Sequence, residues 1–461
     1  MTSRPFAAAL ALLIAVPAHA DRVDDLMKGL VAGARIPGAV LLVSRDGRPI
    51  RVGTYGVANL ETVAPVRRNT VFEIGSVSKQ FTCAAVLLLA DQGKLALDDP
   101  VGKHLPDAPE RWRPLTLRQI LSHTSGLKDT LQSPDDSKFR PDDYFTKLGP
   151  LPLDFEPGTS WSYSNMGTNL AAAVVEKVSG ERFPKFMAER VFKPLGLKTM
   201  GFSDPGVVVP NRARGYAFAG KNHANVSASF PGTLLGAGAL IGTADDLARW
   251  DHALMTGRFL SEASRKAMFA RTPLKSGSDV NYGLGWFLNV DQGRPLWEHG
   301  GNTLGFSCSN LVLPSERLSI VLLTNQGGLG GGTITRRLAA ELVPSLNLGK
   351  RAATADPDSA ATARLMMSLR RFGRGQYQNL DAFAPSMRSS LSSVRGALLR
   401  LGLGSLGRNV TTYRHLDSEA LPDGRRIGRY AVRLGKQGTA YAQVTWARDG
   451  LAEQFDVLYS E

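Results

Sequence analysis

Apolar positions run along this chain in two rhythms, and the switch between them outlines an architecture. Residues 38–44 read as a strand and turn at Asp46-Gly47 into a second strand. Strand-like blocks then disappear until residues 284–290, 294–298, 306–313 and 318–324. The stretch between is mainly helical in spacing: residues 81–90 read as a buried helix closed by Gly93, and residues 167–180 as another. Strand sets so distant must still pair. The pattern therefore predicts one antiparallel sheet built from both ends of this region, with an all-helical lobe inserted and a helix at 333–343 over one face. The fold class is α/β in the α+β sense, and a site is expected in the cleft between lobe and sheet.

A second unit follows. Residues 352–361, rich in Ala, Thr, Asp, Pro and Ser, have the composition of a linker. Beyond them two helical stretches (363–372 and 385–399) precede strand-like runs at 430–434, 440–447 and 451–458, with turns at Asp423-Gly424 and Asp449-Gly450. The expected division is 1–20, 21–349, a linker at 350–361, and a small α+β domain at 362–461, because 461 residues exceed what one core usually supports. A linker of this kind predicts that few contacts cross it, so the second domain should be dispensable for chemistry.

The first twenty residues read as a secretory leader. Arg4 supplies the charged start, residues 6–16 are apolar but too few to span a bilayer, and Ala18-His19-Ala20 is a small-x-small cleavage site. The mature chain contains no stretch apolar enough for a transmembrane helix, so a periplasmic or secreted protein is expected. Net charge is +14, half of it in the last quarter of the chain. On an exported protein such a surface suits anionic wall polymers or lipid headgroups, or is simply solvated; a nucleic-acid partner is not expected. The two cysteines, Cys83 and Cys308, leave a disulfide open, with two buried free thiols favoured. The 7 histidines show no metal-ligand spacing, and neither metal nor cofactor is expected.

Three short motifs carry the chemistry: Ser76-Val77-Ser78-Lys79, Tyr163-Ser164-Asn165 and His299-Gly300-Gly301. Each is weak alone; in this order they supply an activated nucleophile, a second proton-transfer group and backbone to bind an oxyanion. A serine needs a base within about 3 Å, and three residues along a helix place Lys79 on the face of Ser76. Tyr163, with an ordinary pKa near 10, would act as a base only if a cation such as Lys79 lowered it. Asn165 can fix Lys79 or hold a substrate carbonyl. Glycines after His299 would let a ligand approach a strand edge. The competing readings are an N-cap serine, a surface lysine, a loop Tyr-Asn pair and a structural histidine.

With these residues in view the chain resembles the serine beta-lactamase and penicillin-binding-protein superfamily. It is most similar to the branch of class C-like enzymes, D-aminopeptidases, DD-carboxypeptidases and esterases. The resemblance extends over about residues 25–345, through Leu121-Ser122-His123-Thr124-Ser125-Gly126-Leu127, Pro194-Leu195-Gly196-Leu197, Gly238-Ala239-Leu240 and Asp245-Asp246-Leu247-Ala248-Arg249-Trp250. It implies Ser76 as nucleophile, Lys79 and Tyr163 as the proton-transfer pair, Asn165 as a substrate amide, and His299 to Gly301 as the third motif. It also implies an oxyanion hole from the N–H groups of Ser76 and Asn302. His123 reads as a loop-pinning residue. His299 and Gly300 stand where class C beta-lactamases carry lysine and threonine, which removes a cation and a hydroxyl that would grip a carboxylate. The C-terminal unit is similar, at fold level only, to nuclear-transport-factor-2-like or cystatin-like modules.

The expected function is an exported serine hydrolase acting on D-amino-acid-containing peptides, amides or esters, its substrate small or peptidoglycan-derived. The alternatives are a carboxylic-ester hydrolase on the same scaffold and a penicillin-binding sensor that acylates without turnover. Specificity is expected from loops at 129–143 and 215–230.

Overall fold

A computed structural model describes residues 19–33, 36–129, 149–219, 222–226, 235–329, 331–378, 380–392 and 396–460. Most of the leader and of the 129–143 loop, with part of the 215–230 loop, lies outside these. Helix α1 (His19–Ala32) leads into the hairpin of β1 (Gly38–Arg45) and β2 (Arg48–Asn59), extended by β3 (Ala64–Pro65). Asp46 and Gly47 both take positive φ at the turn, as the Asp-Gly pair requires. Helices α2 (Ser78–Asp91), α3 (Asn165–Ser179) and α4 (Ala244–Thr256) follow, then β4 (Phe287–Asp291), β5 (Arg294–Asn302), β6 (Ser307–Leu313), β7 (Leu318–Thr324) and α5 (Gly331–Leu342). The inserted lobe is not all-helical as expected: Leu240–Gly242 pairs with Phe72–Glu73 and with Gly201–Phe202, and Tyr216–Ala219 pairs with Asn222–Asn225, in strands of two to four residues too short to leave an alternating pattern.

The sheet order is β4-β5-β6-β7-β1-β2-β3, antiparallel throughout. The two distant strand sets meet where β1 pairs with β7, Val40 opposite Leu323. Strand β1 is buried on both faces, so it reads as a continuous apolar run instead of an alternating one. Val40 and Leu42 pack into the core shared with the helical lobe, while Ala39, Leu41 and Val43 face the core under α1 and α5.

The second unit departs from expectation in three places. First, the expected helix at 385–399 is two helices, α7 (Pro385–Ser392) and α8 (Gly396–Asn409), after α6 (Ser359–Gly373). Glycine is a poor helix former, but here it lets α8 close on α6: a Cβ on Gly407 would lie 1.7 Å from the Leu369 carbonyl oxygen. Second, the sheet has a strand that the pattern did not show, β8 (Thr412–Ala420), ahead of β9 (Arg426–Arg433), β10 (Thr439–Trp446) and β11 (Ala452–Ser460). It is an edge strand with mostly polar, half-exposed side chains, and so carries little apolar signal.

Third, residues 350–361 are not a slack linker. Arg351, just past the first region, pairs with Asp417 at 2.5 Å and with Asp291 at 2.6 Å. Arg429, only 1 % exposed, joins Asp417, Asp291 and Glu419 and donates to the Val290 carbonyl at 2.6 Å. An apolar cluster of Ala340, Leu348, Leu416, Ala431, Tyr441, Leu458 and Tyr459 spans the same junction. The contacts that a free boundary would lack are present, and the C-terminal unit is docked on the edge of the main sheet that carries β4.

Candidate active site

Ser76 lies in a single 3₁₀ turn, Gly75–Val77, that feeds directly into α2. This turn is pressed against the end of β5. A Cβ on Gly75, whose φ is +51°, would stand 2.8 Å from the Asn302 nitrogen. One on Gly301 would stand 1.9 Å from the Ile74 carbonyl oxygen. Glycine at both positions is therefore what lets the nucleophile turn and strand β5 touch. Strand β4 stops pairing at Phe287 opposite Glu298, so residues 299–302 present an open edge beside Ser76.

Lys79, fully buried in the first turn of α2, gathers the site. Its Nζ donates to Asn165 Oδ1 at 2.6 Å and to the Ala237 carbonyl at 2.8 Å, and lies 3.2 Å from Ser76 Oγ. Burial drives its pKa down to about 7, against the raising influence of Asp129 and Cys83. Two acceptors occupy two N–H groups. The third position of the nitrogen, a lone pair in the neutral amine, faces the serine hydroxyl.

Tyr163 is on the loop ahead of α3, whose N-cap Ser164 accepts from the Gly167 N–H at 3.2 Å. Its ring centroid is 4.7 Å from Lys79 Nζ, and its hydroxyl bonds Ser76. Burial raises its pKa, the Ser76 contact opposing, so the phenol remains protonated. The condition under which Tyr163 would act as a base, a pKa lowered by a cation such as Lys79, is not met. Asn165 donates through Nδ2 to Asp129 Oδ2 at 3.2 Å, fixing the amide so that its oxygen faces Lys79.

His299 is buried, and both of its nitrogens are engaged: Nε2 with the Tyr282 hydroxyl at 3.0 Å and Nδ1 with the Gly300 carbonyl at 2.7 Å. Burial and the Lys79 charge lower its pKa to about 3, so it is neutral and offers no cation to a substrate. His123, likewise buried and held well below its ordinary pKa, meets the same Tyr282 hydroxyl at 3.2 Å. Sequence reasoning missed Tyr282. Its signal was the Tyr282-Gly283-Leu284-Gly285-Trp286 run, of which only residues from Leu284 on were read, as the start of a strand: Gly285, at φ +79°, brings a turn to within 2.9 Å of the Lys79 carbonyl, measured from its ideal Cβ. Ala237 contributes only a carbonyl, and no sequence pattern marks it. Cys83 and Cys308 are free and buried, and Cys308 Sγ donates to the Ile74 carbonyl at 2.8 Å. Among the described residues no group of three or more His, Cys, Asp or Glu is placed to hold a metal ion.

A serine beside a buried, deprotonatable lysine and a protonated tyrosine, at an open strand edge, is the equipment of a serine hydrolase. The chain belongs to the beta-lactamase family, whose model, described as Beta-lactamase, matches residues 23–343. It is 28% identical over 308 residues to penicillin-binding protein 4* of Bacillus subtilis, covering 62% of this chain and 67% of that protein. Among solved structures it is similar to a D-stereospecific amidohydrolase from Streptomyces sp., at 28% identity and a TM-score of 0.61, covering 71% of this chain and 99% of that one. It is also similar to EstCE1, a hydrolase with promiscuous acyltransferase activity, at 26% identity and a TM-score of 0.59, covering 71% and 98%.

Proposed function

We propose that this serine hydrolase forms an acyl-enzyme at Ser76 and acts on D-amino-acid-containing amides, peptides or esters, with acyl groups that need no carboxylate anchor. The observation that carries the reading is Lys79 Nζ, 3.2 Å from Ser76 Oγ with its other N–H groups committed to Asn165 and Ala237. Ser76 Oγ attacks the acyl carbon while its proton passes to Lys79. The N–H groups of Ser76 and Asn302 hold the oxyanion, and Tyr163 hands a proton to the leaving group and takes one back from the protonated Lys79, so that base and acid both return to their starting states. Water then repeats the sequence and releases the acid, regenerating Ser76.

Substrate class rests on His299. A neutral, fully bonded imidazole supplies none of the charge-assisted grip on a carboxylate, worth about 1.5–3 kcal/mol, that a lysine would. D-alanine amides and short esters should therefore be turned over about ten- to a hundredfold better than D-Ala-D-Ala peptides or penicillins. The D-stereospecific amidohydrolase among the similar structures supports the amide reading, and EstCE1 supports the ester reading. A side-by-side kcat/KM panel tests the point; penicillin hydrolysis faster than amide and ester hydrolysis would refute it.

Export through the leader at 1–20 is part of the proposal. The packing of α1 begins with Val23 and Met27, so cleavage after Ala20 leaves its buried face intact. No helix among the described residues is long and apolar enough to cross a membrane. The division into a hydrolase domain at 21–349 and a module at 362–461 is supported by a separate apolar cluster among α6, α7, α8 and β9 to β11. The positive charge carried by that module supports attraction to anionic wall polymer or lipid. Binding to acidic vesicles that weakens with salt would bear this out.

A further inference from the structure

Four hydrogen bonds join the Tyr163 loop to the open edge of β5, and their directions can be assigned from one end. The Ser164 backbone N–H can only donate, so His123 Nδ1 accepts it at 3.2 Å. His123 is neutral, so its proton is on Nε2, and it donates to the Tyr282 hydroxyl at 3.2 Å. That hydroxyl then donates onward to His299 Nε2 at 3.0 Å. His299 must therefore carry its own proton on Nδ1, which it gives to the Gly300 carbonyl at 2.7 Å. Every member is used once as donor and once as acceptor, apart from the two backbone ends.

The far end of this chain lies where the oxyanion is to be bound. Thr303 N–H bonds the Phe306 carbonyl across the β5–β6 turn at 2.9 Å. The alternation of an antiparallel ladder then turns the backbone groups of Gly301 toward β6, and those of Gly300 and Asn302 outward to the open edge. His299 covers the outward carbonyl of Gly300. Two residues on, the Asn302 N–H is left facing the nucleophile turn.

We propose that Tyr282 is a positioning residue. Through the one-way chain Ser164→His123→Tyr282→His299→Gly300 it fixes the tautomer of His299, and so holds the oxyanion edge of β5 in register with the loop that carries Tyr163. His299 is on this reading a brace for the strand and not a substrate ligand. The inference rests on Ser76 being the nucleophile.

The test uses full-length Tyr282→Phe, His299→Asn, His299→Gln and the double variant Tyr282→Phe/His299→Asn, assayed for kcat and KM on a p-nitrophenyl ester. Asparagine can place an amide N–H where Nδ1 was and still brace Gly300, whereas glutamine reaches Tyr282 but not Gly300. The expected result is a fall in kcat on the order of 10- to 100-fold for Tyr282→Phe and His299→Gln, with KM little changed, and a much smaller fall for His299→Asn. In the His299→Asn background Tyr282→Phe should cost less than about threefold, because its partner is already gone. Additive losses, or equal losses for the Asn and Gln variants, would overturn the brace. If Tyr282→Phe fails to fold, the Asn/Gln comparison decides alone. Fluorophosphonate labelling of the unaltered protein separates the two claims. No labelling at Ser76 refutes the nucleophile, whereas normal labelling with additive variants refutes only the brace.

Discussion

Lowering the pH should switch off acylation through one buried amine. Lys79 has no exposed surface and its pKa is pulled down to about 7, from an ordinary value near 10.4. As the base for Ser76 it works only when neutral, so kcat/KM on an uncharged ester should rise with pH to a plateau, half-complete near 7 and about 1% of the plateau at pH 5. The same shift has a stability signature. Between pH 7 and 10 the unfolded chain holds a proton on this amine that the folded protein lacks, so stability rises with pH across that window. Below pH 7 both states are protonated and the burial penalty is constant. The full effect is on the order of 4 kcal/mol. Lys79→Met removes it, so urea melts of unaltered and Lys79→Met protein at pH 7 and pH 10 should diverge by about that amount. The rate profile is read by quenching every reaction to one pH before measuring product. A flat profile from pH 5 to 9, or parallel stability curves for the two proteins, would refute the assignment of Lys79 as the neutral base.

Three further outcomes follow from packing and buried charge. Gly301→Ala puts a methyl 1.9 Å from the Ile74 carbonyl and should cost about 3 kcal/mol or more while abolishing ester turnover; near-normal melting and activity would count against the contact between β5 and the nucleophile turn. Asp251, buried beneath the sheet with Asn310 Nδ2 2.7 Å from Oδ1, has its pKa raised to about 7 by burial. The folded protein binds the extra proton between about pH 4 and 7, so stability falls as pH rises through that range. Asp251→Asn should therefore be the more stable protein at pH 8, with the gap closing toward pH 4. Arg429→Met leaves Asp417 and Asp291 short of a partner at the junction between the two units and should cost about 3–5 kcal/mol in thermal or urea unfolding. A neutral result would restore the loosely tethered module that the linker composition suggested.

The sheet was legible because its register is written in apolar blocks: residues 38–44 and 318–324 had to find each other, and they pair residue for residue from Ala39 opposite Thr324 to Ser44 opposite Ser319. The three motifs were legible because their chemistry is carried by side chains of fixed type at fixed spacing. What escaped was set by tertiary contact. Gly404 and Gly407 argue against a helix until the close approach of α6 explains them. Strand β8 is polar because one face meets Arg351 and Arg429. Ala352 to Ala361 has the composition of a free linker, but the docking is done by its neighbours Leu348 and Arg351. The tautomer chain through Tyr282 joins residues that lie 159 and 17 positions apart, a separation no local pattern encodes.

The most direct test of the account is the covalent adduct itself. Unaltered protein treated with a serine-directed fluorophosphonate should gain one adduct, located by peptide mass spectrometry on Ser76, and lose ester turnover in step with labelling. Ser76→Ala should neither label nor turn over, although its melting temperature stays within a few degrees. Labelling that persists in Ser76→Ala, or an adduct on any other serine that accounts for the lost turnover, would contradict the central claim.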